Sequence, residues 1–405
     1  SDVCSSDLNP ILNSVTITGN TAHVKGGGIY LDDESTTVLN DVIFENNKVE
    51  IAVSDFRQGA AIYSRNSNLE ISNCIFENNK LIGTALNTIG GSIYFKADDT
   101  RRSLTINGTT IRGNTAYSKA GGIYVENAQV EITNTVISGN LVSSGAGNGG
   151  AIYSKDSDVK IINTTITGNM CEGGGTGGIY TEDSDLYLIN SIIWNNENSP
   201  IMGGGNYQLY IAYSDLDTVA SSLPNLNEDI DVYNQGVLVD PAGIASSIIN
   251  ADPNFEESID PLPSPQVGGN FNISCYSPCI NTGIANITIN NNVNDDELLS
   301  FILSESNYNG DSPDMGGIES NVEGGPCVVG CMDAEACNYN SDATLEDGSC
   351  LEIDCSGDCG GETVVDECGE CGGDNSSCAD CMGVPNGDAE MITYWFDADG
   401  DGLGY

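Results

Sequence analysis

The sequence predicts an all-β chain: a parallel β-helix with three strands per coil, followed by small disulfide-rich modules with little regular structure. Three observations predict it. A two-part signature returns every 26 to 35 residues down the first half of the chain. The pieces between its copies alternate apolar and polar residues. Ten of the 15 cysteines fall between Cys327 and Cys381.

The first part of the signature is an aliphatic or aromatic residue, two further residues, then asparagine. It runs Ile17 to Asn20, Phe44 to Asn47, Phe76 to Asn79, Ile111 to Asn114, Ile137 to Asn140, Ile166 to Asn169 and Ile193 to Asn196. The second part is a pair of small residues followed by Ile-Tyr. It ends at Tyr30, Tyr63, Tyr94, Tyr124, Tyr153 and Tyr180. A fixed period in this range marks a solenoid, in which identical positions stack from coil to coil.

Between the signatures lie short strands such as Leu69-Glu-Ile71, Leu104-Thr-Ile106, Val130-Glu-Ile132, Val159-Lys-Ile161 and Leu186-Tyr-Leu188. Period-two alternation gives each one buried and one wet face. The V-x-I piece, the piece ending at the repeated Asn and the small-small-Ile-Tyr piece make three strands per coil. No segment offers a convincing amphipathic helix, and Gly, Asn, Ser, Thr and Asp fill the turns. Seven clear coils at ~4.7 Å each predict a rod of roughly 30 Å. The repeated Asn is expected to stack at one corner and hydrogen-bond along the ladder. The small pairs, such as Gly27-Gly28 and Gly121-Gly122, permit positive φ or close backbone approach at a second corner. Cys74, at the position of Val15, reads as a small core residue. The variable stretches between the Asn and the small pair should project from one side, where solenoids carry binding function.

Charge bounds the partners. Acidic residues number 59 against 12 basic, for a net charge of −47, and no Lys or Arg follows Lys160. Nucleic acid is excluded, because binding it requires cations to neutralise phosphate. Anionic lipid surfaces are disfavoured for the same reason. A hard divalent cation, above all Ca²⁺, is the small partner that suits such a chain; solubilising surface charge is the bland reading. Dense cysteine in an acidic, Gly-rich stretch reads as disulfides made in an oxidising compartment. Zinc is the alternative, but the single His, His23, lies far away and reads as a solvated residue. No run of ~18 apolar residues predicts a membrane span.

The expected organisation has four parts. Residues 1–8, SDVCSSDL, resemble a translated sequencing adaptor and are left out of fold reasoning. Residues 9–321 form the β-helix, with irregular closing coils from about residue 206 that include Cys275 and Cys279 as a pair or as two free thiols. Solenoid ends need such atypical coils because an open end exposes core. Residues 322–388 form Cys-rich modules whose order comes from cross-links rather than core. Residues 389–405 hold a truncated acidic repeat, and truncation is expected at both ends.

In that last segment Asp397, Asp399 and Asp401 alternate with Ala and Gly, an oxygen-only set suited to structural Ca²⁺. The loop resembles those of thrombospondin type 3-like repeats and of EF-hands, although no flanking helix supports the latter. Catalysis has weaker signals. Arg57, Arg65, Arg101, Arg102 and Arg112 are the candidate bases of a lyase, and they are scattered. Carboxylate pairs at the spacing of a glycoside hydrolase, ~5–9.5 Å, would arise by chance among so many acids. No G-x-S-x-G elbow, phosphate loop or zinc-protease signature occurs.

The alternation of F-x-x-N with a small-small-x-x motif resembles polymorphic outer-membrane protein repeats. Phe44 to Asn47 and Phe76 to Asn79 match the first motif, and Gly150-Ala-Ile-Tyr153 approximates the second. Five copies carry Ile for Phe, and Tyr follows the Ile. The resemblance spans about residues 9–200. It implies a right-handed β-helix in a secreted or surface-displayed adhesin-like passenger. Gly330 to Cys350, Asp354 to Gly361 and Asp366 to Gly373 resemble Cys-rich modules of large bacterial surface proteins. The expectation is therefore a non-enzymatic, monomeric protein at the cell exterior or outer membrane, with an extracellular glycan or cell-surface ligand. A carbohydrate-active β-helix enzyme and a purely structural spacer are the alternatives.

Overall fold

The computed structural model describes residues 9–32, 34–50, 56–84, 86–145, 147–218, 230–234, 237–241, 248–259, 261, 265–274, 277–291, 297–302, 312–318, 328, 330–343 and 348–393. The chain divides into two compact units, residues 1–325 and 326–405.

The first unit is a parallel β-solenoid. Its long sheet stacks eight strands, Ile11–Asn13, Thr36–Asn40, Asn68–Ser72, Arg102–Asn107, Ala128–Thr133, Asp158–Ile162, Asp185–Ile189 and Leu209–Ala212. These are the V-x-I pieces, and their register keeps each inward aliphatic above the last: Leu69 pairs with Leu104, Leu104 with Val130, Val130 with Val159 and Val159 with Leu186. A second sheet of nine strands collects the pieces that precede the repeated Asn, and a third of seven collects the Ile-Tyr pieces. Leu39, Phe44, Ile62, Ile71, Phe76, Ile106 and Ile111 are fully buried between the sheets. Phe44 and Phe76 stack at 4.7 Å inside the rod. The coil differs from expectation in one respect. A short strand follows each Asn, as in Lys80–Ile82 and Leu141–Val142, and six of these form a fourth ribbon. The Asn turns the chain sharply enough for it to re-enter the ladder at once.

The expected asparagine ladder is present. In each step the Oδ1 of one Asn accepts both the side-chain and the backbone N–H of the Asn one coil earlier, from Asn20 through Asn47, Asn79, Asn114, Asn140 and Asn169 to Asn196. The second amide hydrogen of each interior member reaches a main-chain carbonyl, as Asn114 Nδ2 does to Phe76 O at 3.0 Å. The preceding residue is left-handed in every copy: Gly19, Asn46, Asn78, Gly113, Gly139, Gly168 and Asn195. Only Gly and Asn reach that conformation readily.

At the other corner the small pair allows close approach. A Cβ on Gly121 would lie 2.6 Å from Gly150 O and from Leu141 N. Cys74 is buried as expected, but it also belongs to a polar corner ladder. Its N–H donates to Thr109 Oγ1 at 3.2 Å, and Thr109 N–H donates to Thr135 Oγ1 at 3.3 Å. The variable stretches do not simply project. Lys25, Gln58, Ile89, Lys119 and Asn148 share one register and lie beside the outward tyrosines.

Described segments from residue 248 onward lie along the rod as a strap. Outward positions of the second sheet turn apolar in the later coils, at Val136, Ile192 and Trp194. They are covered by Ile249, Phe255, Ile259, Phe271, Ile273 and Met315. Backbone bonds pin this strap to the coils: Gln266 N–H to Gly139 O at 2.9 Å and Gly316 N–H to Asn190 O at 2.7 Å. Asn190 also exchanges side-chain bonds of 2.8 Å with the N–H and carbonyl of Ile284. Cys279 is a buried free thiol, which decides between the two readings of that cysteine; Cys275 lies outside the described residues.

In the second unit disulfides join Cys331 to Cys350, Cys337 to Cys359, Cys355 to Cys371 and Cys368 to Cys378. Sequence spacing could not specify that pairing. Three consecutive turns share one knot. Asp354 Oδ1 accepts the N–H groups of Ser356 and Asp358, and Oδ2 accepts that of Thr363. Asp366 holds Cys368, Glu370 and Asn375 in the same way, and Asp380 holds Met382, Val384 and Ala389. Hydrogen bonds to the charged form hold all three carboxyls below the usual carboxylate range. These acids are therefore structural acceptors.

Candidate functional site

The outer face of the long sheet carries the most chemistry. In Arg102–Asn107, Ala128–Thr133, Asp158–Ile162 and Asp185–Ile189, alternation sends Leu104, Val130, Val159 and Leu186 inward. The residues between them point out and stack in register columns. One column runs Thr105, Glu131, Lys160, Tyr187, and the next runs Ser103, Gln129, Asp158, Asp185. All of these but Asp185 line a groove of about 370 Å³.

Charge in the groove is balanced. Arg101 pairs with Asp158, and Lys160 sits one strand from Glu131. Tyr187 forms its wall, backed by Tyr210 at 4.6 Å and 9° between ring planes. Asp185 Oδ1 accepts the N–H of Gln208 at 3.0 Å, yet burial still pushes its carboxyl up, with Asp158 adding to the effect. Such a surface offers carboxylates and an amide as hydrogen-bond partners for hydroxyl groups, while Tyr187, only 9% exposed, gives the groove a firm wall.

The tyrosines of the signature form a second feature, and it is structural. Tyr30, Tyr63, Tyr94, Tyr124, Tyr153 and Tyr180 stack with centroids 4.9 to 5.5 Å apart. Each interior ring has its faces covered by its neighbours, so none is free to stack on a ligand. Lys25 donates to Tyr63 OH at 2.8 Å, and the register-equivalent Lys119 donates to Tyr153 OH at 2.7 Å. Burial lowers both lysines, against nearby carboxylates that act the other way.

The five arginines are each paired with a carboxylate or buried. Arg65 binds Asp98 and lies 3.8 Å from Asp32, Arg101 binds Asp158, Arg102 lies 3.8 Å from Glu34, and Arg112 binds Glu77 at 2.6 Å. Arg57 is buried against Gly83. The structure does not bring these five together. His23 is exposed on a wider cavity of about 750 Å³ at the first coil, lined also by Leu12, Lys25 and Tyr30. Asp397, Asp399 and Asp401 lie outside the described residues. Among the described residues, no three His, Cys, Asp or Glu side chains gather as a metal-holding group.

The groove residues had a signal in the sequence. Glu131, Lys160 and Tyr187 are the middle residues of three successive V-x-I pieces. Alternation already put them on the wet face, but only the register makes them one column.

A family model described as the right handed beta helix region matches residues 7–101 and 93–250. The chain belongs to this right-handed β-helix family. The match covers most of the solenoid, including every strand of the groove. The chain is also similar to the human thrombospondin type-1 domain-containing protein 4, 42% identical over 53 residues. That stretch is 13% of this chain and 5% of the human protein. No solved structure matches the chain. The four disulfides of the unit attached to this right-handed β-helix fit an extracellular location.

Proposed function

We propose that this right-handed β-helix is a secreted or cell-surface protein that binds extracellular glycan without cleaving it, as an adhesin or matrix-binding rod. The observation that carries the reading is the register-matched groove, in which Glu131, Lys160 and Tyr187 stand beside Gln129 and Asp158. Its polar groups lie on rigid strands, so little ordering entropy opposes binding. The relative named for a thrombospondin type-1 domain is consistent with life outside the cell. Attachment at a bacterial outer membrane, a monomeric state and Ca²⁺ held by Asp397, Asp399 and Asp401 belong to the same proposal. Calorimetric titration of Ca²⁺ into the chain and an Asp399→Asn variant tests the last.

A glycan array combined with reducing-sugar and unsaturated-uronate release assays, with and without Ca²⁺, tests the function. Binding without product release is expected. Glu131→Gln combined with Asp158→Asn should weaken that binding about tenfold or more while leaving the fold intact. Product release would overturn the proposal in favour of an enzyme. Absence of any glycan binding would leave a structural spacer.

A further inference from the structure

The strap is fastened to the rod at a buried carboxyl that has no counter-ion among the described residues. Asp215 lies in the strand Ser214–Leu216 and is fully buried. Its two oxygens each accept a hydrogen bond from the strap. Oδ1 accepts the N–H of Ala251 at 3.2 Å, and Oδ2 accepts the S–H of Cys279 at 3.2 Å. The charged or titratable groups that act on this pair are Asp217, just past the end of the strand, and Asp252 and Asp314 from the strap. All are acids, and no Lys, Arg or His follows Lys160 anywhere in the chain. Beside this point Asn250 Nδ2 also donates to Leu216 O at 2.7 Å, and farther along the rod Gly316 N–H donates to Asn190 O and Gln266 N–H to Gly139 O.

We propose that the strap is a pH-sensitive clasp, fastened when Asp215 is protonated and loosened when it ionises. The protonated carboxyl keeps every contact. Its carbonyl oxygen still accepts from Ala251, and its O–H turns to the Cys279 sulfur. The ionised carboxylate keeps one amide donor and one weak thiol donor, in a buried site facing acids. An uncompensated buried charge is strongly unfavourable. Opening hydrates that charge and uncovers the apolar face around Ile192 and Trp194.

The direction in pH follows. Burial, more than the opposing bonds from Ala251 and Cys279, raises the Asp215 carboxyl to about 6. A carboxyl raised in the closed form stabilises that form fully below the ordinary value of 3.8 and loses the effect as pH rises through about 6.

Hydrogen exchange on the full chain tests the clasp. From about pH 5 to about pH 7.5, opening of peptides containing Ala251 and Cys279 should become about tenfold more frequent, after correction for intrinsic exchange. Peptides around Asn114 serve as a reference that should not move. Asp215→Asn should hold the strap closed at both pH values. Burial also raises the Asp217 carboxyl to about 6, against bonds from the N–H groups of Asn195 and Asn196 of the rod, so Asp217→Asn separates the two acids and should keep the pH dependence of the strap peptides. Equal protection at both pH values would overturn the clasp, as would a pH response kept in Asp215→Asn or lost in Asp217→Asn. Should Asp215→Asn fail to fold, Trp194 fluorescence in an Asp217→Asn, Trp395→Phe background decides, because Asp217 also titrates near 6 beside Trp194. A red shift with a midpoint near 6 is expected, and a flat titration sinks the idea.

Discussion

The Oδ1 of Asn140 accepts two bonds from Asn114, one from the backbone N–H at 3.0 Å and one from the side-chain amide at 2.9 Å. Asn114 accepts the same pair from Asn79. Every interior member thus satisfies two coils at once.

Removing one member should therefore unpair buried groups on both sides. Asn114→Ala deprives Asn79 of its acceptor and leaves Phe76 O and Asn140 Oδ1 short of a donor. At about 1–3 kcal/mol for each buried group left unsatisfied, the loss should reach about 3–5 kcal/mol. Asn20→Ala, at the exposed start of the ladder, should cost no more than about 1 kcal/mol. Urea unfolding followed by circular dichroism compares the two. Equal effects would mean that the ladder is not cooperative.

The Asp knots predict acid lability in the Cys-rich unit. Their carboxyls are held low, chiefly by bonds from Ser356 at Asp354 and from the N–H groups of Glu370 and Val384 at Asp366 and Asp380. The stability they confer is complete above the unfolded carboxylate value, about 4, and disappears as pH falls further. Amide protection at Cys368, Glu370 and Asn375 should fade on acidification below that value. Asp366→Ala should remove the protection at neutral pH too, with the disulfides still formed. Persistent protection in that variant would contradict the assignment.

Thiol reactivity separates the described free cysteines. Cys381 is exposed, whereas Cys74, Cys171 and Cys279 are buried. Burial raises all three buried thiols, Cys171 to about 12, and the nearby Glu197 adds to that shift. An alkylating reagent at mildly alkaline pH should label Cys381 faster than these three by about a hundredfold or more. Urea should abolish the difference. Mass mapping of native and unfolded samples reads the result directly.

Much of the fold was legible because a solenoid repeats its reasons. Seven Asn residues at one spacing, six Tyr at another and aliphatics alternating between them each mark a stacking position. Period-two alternation even assigns Glu131, Lys160 and Tyr187 to one outward face, although Tyr187 is buried there against Tyr210. Their meeting in one groove was not legible. It depends on strand register, and coil lengths that vary between 26 and 35 residues do not state register along the chain.

The sequence by itself determined the parallel coils, the asparagine corner, the buried aliphatics and the cross-linked acidic tail, because each follows from local pattern or composition. Tertiary structure alone decided three matters. It paired the cysteines, since loop closure permits many connectivities. It laid Ile249, Phe255, Ile273 and Met315 back over the apolar outer positions at Ile192 and Trp194, a contact between segments far apart in the chain. It also buried Asp215 beneath Cys279. No local pattern distinguishes that aspartate from the other acids; only the strap takes it out of water.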